Sequence, residues 1–290
     1  MGSIKVAVDA GHGYNTAGKR SPAFVRTVTH TYDGKTITVK EGSQFREHVA
    51  NAGVADYLAN YLSRLGFDVL RTGFDDDDGT NDTTDMSINK RQSLIRGYGC
   101  QYSLSCHFNA NTGKWNSANG IEALYDASEK RAGDSKALAR AIQSRIQPVY
   151  GQKNRGAKTA KGLGMCNATG MECVASVLME YAFMDNQFEA ERYFCNPESW
   201  YRYAIATADG FVDYLTGGAL GKEISRTDAT KKEALWVQIM LNKALNSGLV
   251  LDGIWGTKTK KAVIQFYTKN GLGASKGEEL SLNAVKMLSR

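Results

Sequence analysis

The chain has 290 residues, 42% of them hydrophobic and 23% charged, with a formal net charge of +6, which is typical of a globular protein with one large and one smaller core. No apolar run approaches the length of a membrane-spanning helix, and the first residues lack the charged and apolar segments of a signal peptide. The sequence therefore predicts synthesis in the cytoplasm and no insertion into a membrane.

The first predicted element is an apolar strand that ends in VDAGHG at 8–13, where a histidine stands between two glycines. This pattern places His12 at the carboxyl end of a buried strand, the edge at which open α/β sheets collect ligands. Two β-rich runs within 25–40 are joined by Asp-Gly at 33–34 and predict a hairpin. His30 lies on this hairpin and is predicted to face solvent.

A helix is predicted over 45–65, because apolar residues recur there at spacings of three and four. Glu47 lies in its first turn, off the apolar stripe. His48 points about 100° away around the helix, so we do not expect it to serve the same site as Glu47. A strand is predicted at 67–71, and the acidic run at 75–78 does not have the spacing of a calcium loop.

A second strand that ends in a histidine is predicted over 101–109, after a helix over 86–95. Alternation of side chains along a strand places His107 and Asn109 on one side and Cys106 on the other. Cys106 is therefore a poor candidate for a metal site shared with His107. The five cysteines of the chain are odd in number and widely spaced, which predicts reduced, buried thiols.

An apolar strand over 175–180 ends in a carboxylate, Glu180, which either reaches solvent or is placed in a cleft. Strands that alternate with helices predict an α/β fold with a mostly parallel sheet covered by helices on both faces. The remaining elements predicted here are a strand at 121–125, a helix at 135–146, a loop at 151–170 around a short strand near Leu163, and helices at 188–193 and 200–215.

The end of the chain is predicted to form a separate small all-α domain. Residues 218–230 have no periodicity and are interpreted as a linker between a domain at 1–217 and a domain at 231–290. Three short helices are expected in the latter, near 232–246, 257–270 and 281–288.

This C-terminal segment carries the whole charge excess, with ten Lys and Arg against four Asp and Glu. Such a balance suggests an anionic partner, such as nucleic acid, a membrane surface or an anionic polymer, or else simply Lys-rich solvated helices.

Four polar side chains, His12, Glu47, His107 and Glu180, are expected at one edge of the sheet. Two imidazoles and one carboxylate are a common zinc ligand set that leaves a fourth position for water. A second glutamate can accept the proton of that water and deliver it to a departing amine. The pattern indicates metal-assisted amide hydrolysis, whereas no GxSxG elbow between a predicted strand and a predicted helix supports a serine nucleophile, and the thiols lack a histidine on their own face.

The motifs VDAGHG at 8–13, SCHFNA at 105–110 and VLMEYAFMDN at 177–186, with Glu47 leading a helix between the first two, resemble the zinc-dependent N-acetylmuramoyl-L-alanine amidases of bacterial cell-wall turnover and phage lysis. The resemblance covers roughly residues 4–215. It implies an enzyme that cleaves the amide between N-acetylmuramic acid and L-alanine of the stem peptide.

The same resemblance implies that His12, Glu47 and His107 bind Zn²⁺ and that Glu180 is the general base. The hairpin before Glu47 is long, which leaves Glu41 as a rival ligand. We take Asn109 as a candidate substrate-binding residue.

The C-terminal segment LDGIWGTKTKKAV at 251–263 resembles the Asp-Gly-x-aromatic-Gly turn of three-helix peptidoglycan-binding domains. Trp255 in this turn either anchors the core or lines a groove for sugar, and is a second candidate for substrate binding. The resemblance implies peptidoglycan and its anionic wall polymers as partners, in preference to nucleic acid.

Taken together, these features suggest an endolysin-like enzyme that reaches the wall through a separate membrane pore, with a lysis enzyme of the producing cell as the nearest alternative. The alternatives are a zinc carboxypeptidase or endopeptidase acting on the stem peptide, and a non-catalytic wall-binding protein whose metal site is structural.

Overall fold

The computed structural model describes residues 3–74, 85–218 and 220–289. The acidic run at 75–78 lies outside them. The chain divides into a larger unit, Lys5–Asn60 with Val69–Gly210, and a smaller unit, Met1–Ile4 with Tyr61–Asp68 and Phe211–Arg290.

The larger unit is built on a six-stranded sheet in the order β4-β1-β5-β8-β6-β7. The strands of the whole chain are β1 (Lys5–Ala10), β2 (Val28–Tyr32), β3 (Lys35–Val39), β4 (Asp68–Thr72), β5 (Tyr102–Asn109), β6 (Ile121–Tyr125), β7 (Asn154–Thr159), β8 (Ala175–Phe183), β9 (Ile224–Ser225) and β10 (Glu279–Leu280). β1, β5 and β8 are parallel neighbours, β6 is antiparallel to β8, and β7 is parallel to β6. The predicted α/β class with a mostly parallel sheet is confirmed.

Helices alternate with these strands as the sequence predicts. They are α1 (Glu47–Leu65), α2 (Ile88–Tyr98), α3 (Ala132–Tyr150), α4 (Gln187–Glu189, continued by a π-helical turn at Ala190–Phe194), α5 (Pro197–Thr216), α6 (Lys231–Leu245), α7 (Thr257–Lys269) and α8 (Leu282–Leu288). The apolar stripe predicted for the first helix is buried, because Val54, Leu58 and Leu62 have no exposed surface. This burial favours the helix through the hydrophobic effect, since its intrinsic propensity alone is weak.

The predicted hairpin is present and forms a two-stranded sheet of its own, with Val28 opposite Val39. Its turn residues Asp33 and Gly34 have φ angles of 50° and 75°. Two successive positive φ angles match the right-handed twist of a tight hairpin, and aspartate and glycine tolerate them better than other residues.

The segment 151–170 differs from its prediction. The strand in it is β7, at Asn154–Thr159, and not near Leu163, which instead precedes a 3₁₀ turn at Gly164–Cys166. β7 reads NRGAKT and is the last strand of the sheet. Edge strands are often charged, so this strand shows none of the apolar alternation on which the prediction depended.

Within the smaller unit, α6, α7 and α8 occur where the three C-terminal helices are predicted. Thr230 caps α6 through a reciprocal capping box with Glu233, which satisfies backbone donors at the first turn. Ile224–Ser225, within the segment interpreted as a linker, pairs with Glu279–Leu280 as a short antiparallel ladder. The domain boundaries drawn from the sequence remain a prediction.

All five cysteines are free and buried, as predicted. Burial raises the pKa of the Cys106 thiol to about 12, so it is not a nucleophile near neutral pH. None of the helices within the described ranges has both the length and the apolar character needed to cross a membrane.

Candidate active site

His12 is presented at the carboxyl end of β1 by a turn that Arg91 holds in place. The Arg91 guanidinium donates to the carbonyl of Ala10 at 2.5 Å and to the carbonyl of His12 at 2.6 Å. His12 itself has a φ of 60°, a left-handed conformation that is uncommon for a residue with a side chain. The strand therefore ends abruptly, and the imidazole leaves the sheet at this edge.

Gly11 is required by the close approach of the second histidine. A Cβ atom at Gly11 would lie 2.2 Å from Cε1 of His107, so any side chain there would displace the ring. The Gly11 carbonyl accepts a hydrogen bond from the Asn51 amide at 3.0 Å, and Nδ1 of His48 lies 3.0 Å from the same oxygen. His48 thus supports the turn and, as expected, does not share the site of Glu47.

The structure brings His12, Glu47 and His107 together. Nε2 of His12 lies 3.3 Å from one carboxylate oxygen of Glu47, and Nδ1 of His107 lies 3.2 Å from the other. The two rings meet edge to face with centroids 4.7 Å apart. One potential ligand atom from each residue lies within 4.8 Å of the others, which is close enough to hold one metal ion. The rival Glu41 is exposed and is not part of this group.

The electrostatics of this cluster suit a divalent cation. Glu47 is only 1% exposed, and among the described residues its carboxylate faces the rings of His12 and His107. Burial raises the pKa of Glu47, but hydrogen bonds and charge interactions with His107 and His12 outweigh burial and hold the pKa below its ordinary value. A buried carboxylate of this kind needs a cation to balance it, and apart from Nε2 of His12 at 3.3 Å, Oε2 of Glu47 has no hydrogen-bond partner within the described chain.

His12 is suited to the same role. Burial lowers its pKa, in spite of the hydrogen bond and charge of Glu47, so the imidazole is neutral near pH 7 and its lone pair is available. Two imidazoles with one carboxylate are a set that fits zinc.

Glu180 lies beside the cluster, on the next strand. It pairs in register with His107 on β5 and with Glu122 on β6, so the three side chains leave the sheet on one face. Burial raises the pKa of Glu180 well above its ordinary value, and the charges of Glu47 and Glu122 add to the effect. Its Oε2 atom is buried and accepts no hydrogen bond from the residues that the structure describes. This carboxylate is thus available to accept a proton from a reacting group.

Beyond Glu180 lies a polar cluster whose two cationic residues, Arg155 and Lys158, the sequence analysis did not identify. Glu122 accepts hydrogen bonds from Asn109 at 2.8 Å, from Arg155 at 2.5 Å and from Lys158 at 2.6 Å. Asn109, the predicted substrate-binding candidate, therefore reaches the edge of the site through Glu122. The sequence did not identify Arg155 and Lys158 as part of the site, because β7, on which they lie, has no apolar alternation that would predict a strand.

Trp255 belongs to the smaller unit and is only 5% exposed. Its indole N–H donates to the carbonyl of Gly277 at 3.0 Å, so its polar group already has a partner. The turn before it is held by Gln238, which accepts from the Gly253 N–H at 2.9 Å and donates to Asp252 at 2.6 Å. This environment favours the core interpretation of Trp255 over a platform for sugar.

Arg91 also forms a buried ion pair with Asp9 at 2.8 Å, and the two side chains are 2% and 0% exposed. Replacing Arg91 with Ala is expected to lower the free energy of unfolding by about 3–5 kcal/mol, because Asp9 would be left buried without its cation. Urea-induced unfolding would measure this change. The matched control is Arg71→Ala, whose ion pair with Asp56 is exposed and should contribute less than about 1 kcal/mol. Equal losses in both variants would contradict the role given to Arg91.

Comparison with known proteins identifies the family of the chain. Residues 6–211 match the N-acetylmuramoyl-L-alanine amidase family. The chain is 33% identical over 137 residues to the N-acetylmuramoyl-L-alanine amidase LytC of Bacillus subtilis (strain 168), an alignment that covers 47% of this chain and 25% of LytC. The chain thus matches about a quarter of the length of that curated relative.

Two solved structures share the fold. The N-acetylmuramoyl-L-alanine amidase from Clostridium difficile 630 has a TM-score of 0.55 and 24% identity, covering 74% of this chain and 98% of its own. The catalytic domain of CwlV from Bacillus (Paenibacillus) polymyxa var. colistinus has a TM-score of 0.54 and 22% identity, covering 73% and 98%. The fold is an α/β fold with a mostly parallel sheet, and His12, Glu47 and His107 form a candidate metal site at its edge. The chain belongs to the N-acetylmuramoyl-L-alanine amidase family.

Proposed function

We propose that this protein is a zinc-dependent peptidoglycan amidase that cleaves the bond between N-acetylmuramic acid and L-alanine. The observation that carries the proposal is the convergence of His12, Glu47 and His107 on one point, with Glu180 beside them, in a chain of this family. Zinc would be held by the two imidazoles and the Glu47 carboxylate.

When bound, zinc supplies Lewis acidity, which lowers the pKa of water and polarises a carbonyl. Residues of the chain carry out the proton transfers and hold the site in place. Glu180 accepts the proton of the attacking water and passes it to the departing amine of L-alanine. The raised pKa of Glu180 suits this exchange, because a group that both takes and returns a proton works best when its pKa approaches the working pH. Arg91 keeps the His12 turn in place while this happens.

End-group analysis of digested peptidoglycan tests the reaction directly. An amidase of this specificity releases the amine of L-alanine and leaves the glycan intact. Release of a D-alanine or of another internal amine would instead indicate a zinc carboxypeptidase or endopeptidase. Stoichiometric zinc without any released end group would indicate a wall-binding protein with a structural metal.

The C-terminal helices are proposed to bind the wall through their positive charge. Deleting residues 218–290 is expected to reduce lysis of whole cells by about tenfold or more, and cleavage of soluble muropeptides much less, because tethering raises the local wall concentration. Turbidity of cell suspensions and chromatography of muropeptides would measure the two activities.

A stability control is needed for this deletion. Asn242 donates to the carbonyl of Leu65 at 2.9 Å within the smaller unit, so truncation removes a partner from the end of α1. A thermal melt of the truncated protein would detect that effect. Equal losses on whole cells and soluble muropeptides would contradict the tethering role.

We further propose a phage-type endolysin role, in which the enzyme reaches the cell wall through a separate membrane pore. Expression inside a susceptible host should lyse it only when a membrane pore is co-expressed. Lysis without a pore would contradict this role and leave the amidase proposal intact.

A further inference from the structure

We propose that Arg155 and Lys158 form a subsite for a carboxylate of the stem peptide, the free α-carboxylate of a γ-linked glutamate that follows L-alanine. The inference rests on the proposed amidase function and adds to it the direction in which the substrate lies. The peptide would extend from Glu180 toward β7.

The cluster carries a net positive charge. Arg155 and Lys158 both donate to Oε2 of Glu122, while the Asn109 amide donates to Oε1. Burial raises the pKa of Glu122, but hydrogen bonds from Lys158 and Arg155 outweigh burial and hold the pKa below its ordinary value. One ionised carboxylate balances only one of the two cations.

The cationic groups also keep donors for a second anion. An ammonium has three N–H donors and a guanidinium has five, and the Glu122 contacts use one of each. The Lys158 side chain is 41% exposed and that of Arg155 is 25% exposed, whereas Glu122 is 9% exposed. Arg155 also lies over the Phe183 ring at 4.8 Å, which fixes the plane of its guanidinium. Arg155 and Lys158 are therefore held in place by Glu122, and both cationic groups remain accessible from solvent.

The distance from Glu180 suits the proposed ligand. Glu122, which holds the two cationic groups, pairs in register with Glu180 on the neighbouring strand. Neighbouring strands are about 4.8 Å apart, so the cationic groups lie about one to two strand spacings, or 5–10 Å, from the proposed base. Two residues of extended peptide span about 7 Å. A carboxylate one residue beyond L-alanine would therefore reach them.

The opposite side of the site has different chemistry. A cavity of about 280 Å³ adjoins His12 and His107 and is lined in part by Ile88, Leu163 and Leu178. This mainly apolar wall suits the acetyl and lactyl methyl groups of an uncharged sugar. Charge complementarity therefore assigns the sugar to this cavity and the anionic peptide to Arg155 and Lys158.

The test compares two synthetic muramoyl peptides that differ only at this carboxyl group, one with a free α-carboxylate and one with an α-carboxamide. The zinc-loaded, full-length protein is expected to cleave the carboxylate form with a kcat/KM about tenfold or more higher, as a charge-assisted hydrogen bond would give. In Lys158→Gln this preference should fall toward one, mostly through loss on the carboxylate substrate. A wild-type protein without preference, or a variant that loses both activities equally, would overturn the proposal.

Two further variants separate charge from structure. Arg155→Lys keeps the positive charge and should retain most of the preference, whereas Arg155→Gln should not. Lys161→Gln removes an equal charge from an exposed residue beyond the other end of β7 and should leave the preference unchanged. Arg155 and Lys158 each remain to pair Glu122 when the other is replaced, so these variants should fold. Loss of preference in Lys161→Gln would indicate a general charge effect and overturn the subsite.

Binding of the same two compounds to Glu180→Gln, measured by calorimetry, distinguishes failure of this inference from failure of the proposed function. Tighter binding of the carboxylate form without cleavage by the wild-type protein would overturn the amidase function and support the subsite. Cleavage of both compounds with equal affinities would support the amidase and overturn the subsite.

Discussion

Replacing Glu180 with Gln is expected to reduce amide hydrolysis by about 10²–10⁴-fold, the usual contribution of a general base. Glutamine has nearly the shape of glutamate, but it cannot accept a proton from water near neutral pH. The metal content should remain unchanged, because Glu180 is not one of the three residues whose ligand atoms converge. Initial rates on a soluble muramoyl peptide and metal analysis of the same preparation would measure both quantities.

The control for this substitution is Glu41→Gln. Glu41 is exposed, and it is the other carboxylate that the sequence offers before α1. This variant should keep its metal and its rate. If Glu180→Gln retained more than about a tenth of the wild-type rate, Glu180 would not be the general base.

Replacing His107 with Ala is expected to reduce metal affinity by at least about a hundredfold and activity to background. Loss of a residue that merely supports a ligand commonly costs 10–100-fold in affinity, so loss of a ligand should exceed that range. The ring also packs against Gly11 and meets His12 edge to face, and its removal leaves Glu47 with one imidazole. Competition with a zinc-binding dye would measure the affinity.

The histidine of the hairpin provides the matched control. His30 lies 2.7 Å from the carbonyl of Glu191 through Nε2 and takes no part in the metal cluster. His30→Asn should therefore retain one equivalent of zinc and most of the activity. Equal zinc affinity in the His107→Ala and wild-type proteins would contradict the proposed metal site, as would activity that resists complete removal of metal by a chelator.

The sequence indicates the secondary structure well wherever burial leaves a clear apolar pattern, whether on one face or on both. Val54, Leu58 and Leu62 recur at helical spacing because one face of α1 is covered, and this repeat is visible without any structure. The strand that bears Glu180 is recognisable because both of its faces are buried. β7 has neither property, since it is a charged edge strand, and its position could not be obtained from periodicity.

The candidate site, too, could be predicted from the sequence only in part. His12 follows an apolar strand and His107 lies near the end of another, so their presence at the sheet edge follows from local pattern. The choice between Glu41 and Glu47 does not, because both carboxylates precede or begin α1. The fold decides it by burying Glu47 against both imidazoles and leaving Glu41 in solvent.

The amino-acid sequence was enough to predict the α/β class, the order of the principal strands and helices, the three C-terminal helices and the motifs by which the chain resembles its family. Each of these depends on residues that are near one another in the chain. The folded structure was needed to find that Arg91 holds the His12 turn and that Arg155 and Lys158 meet at Glu122. These contacts join residues 79, 33 and 36 positions apart, and they depend on strand order and register, which local propensity does not specify.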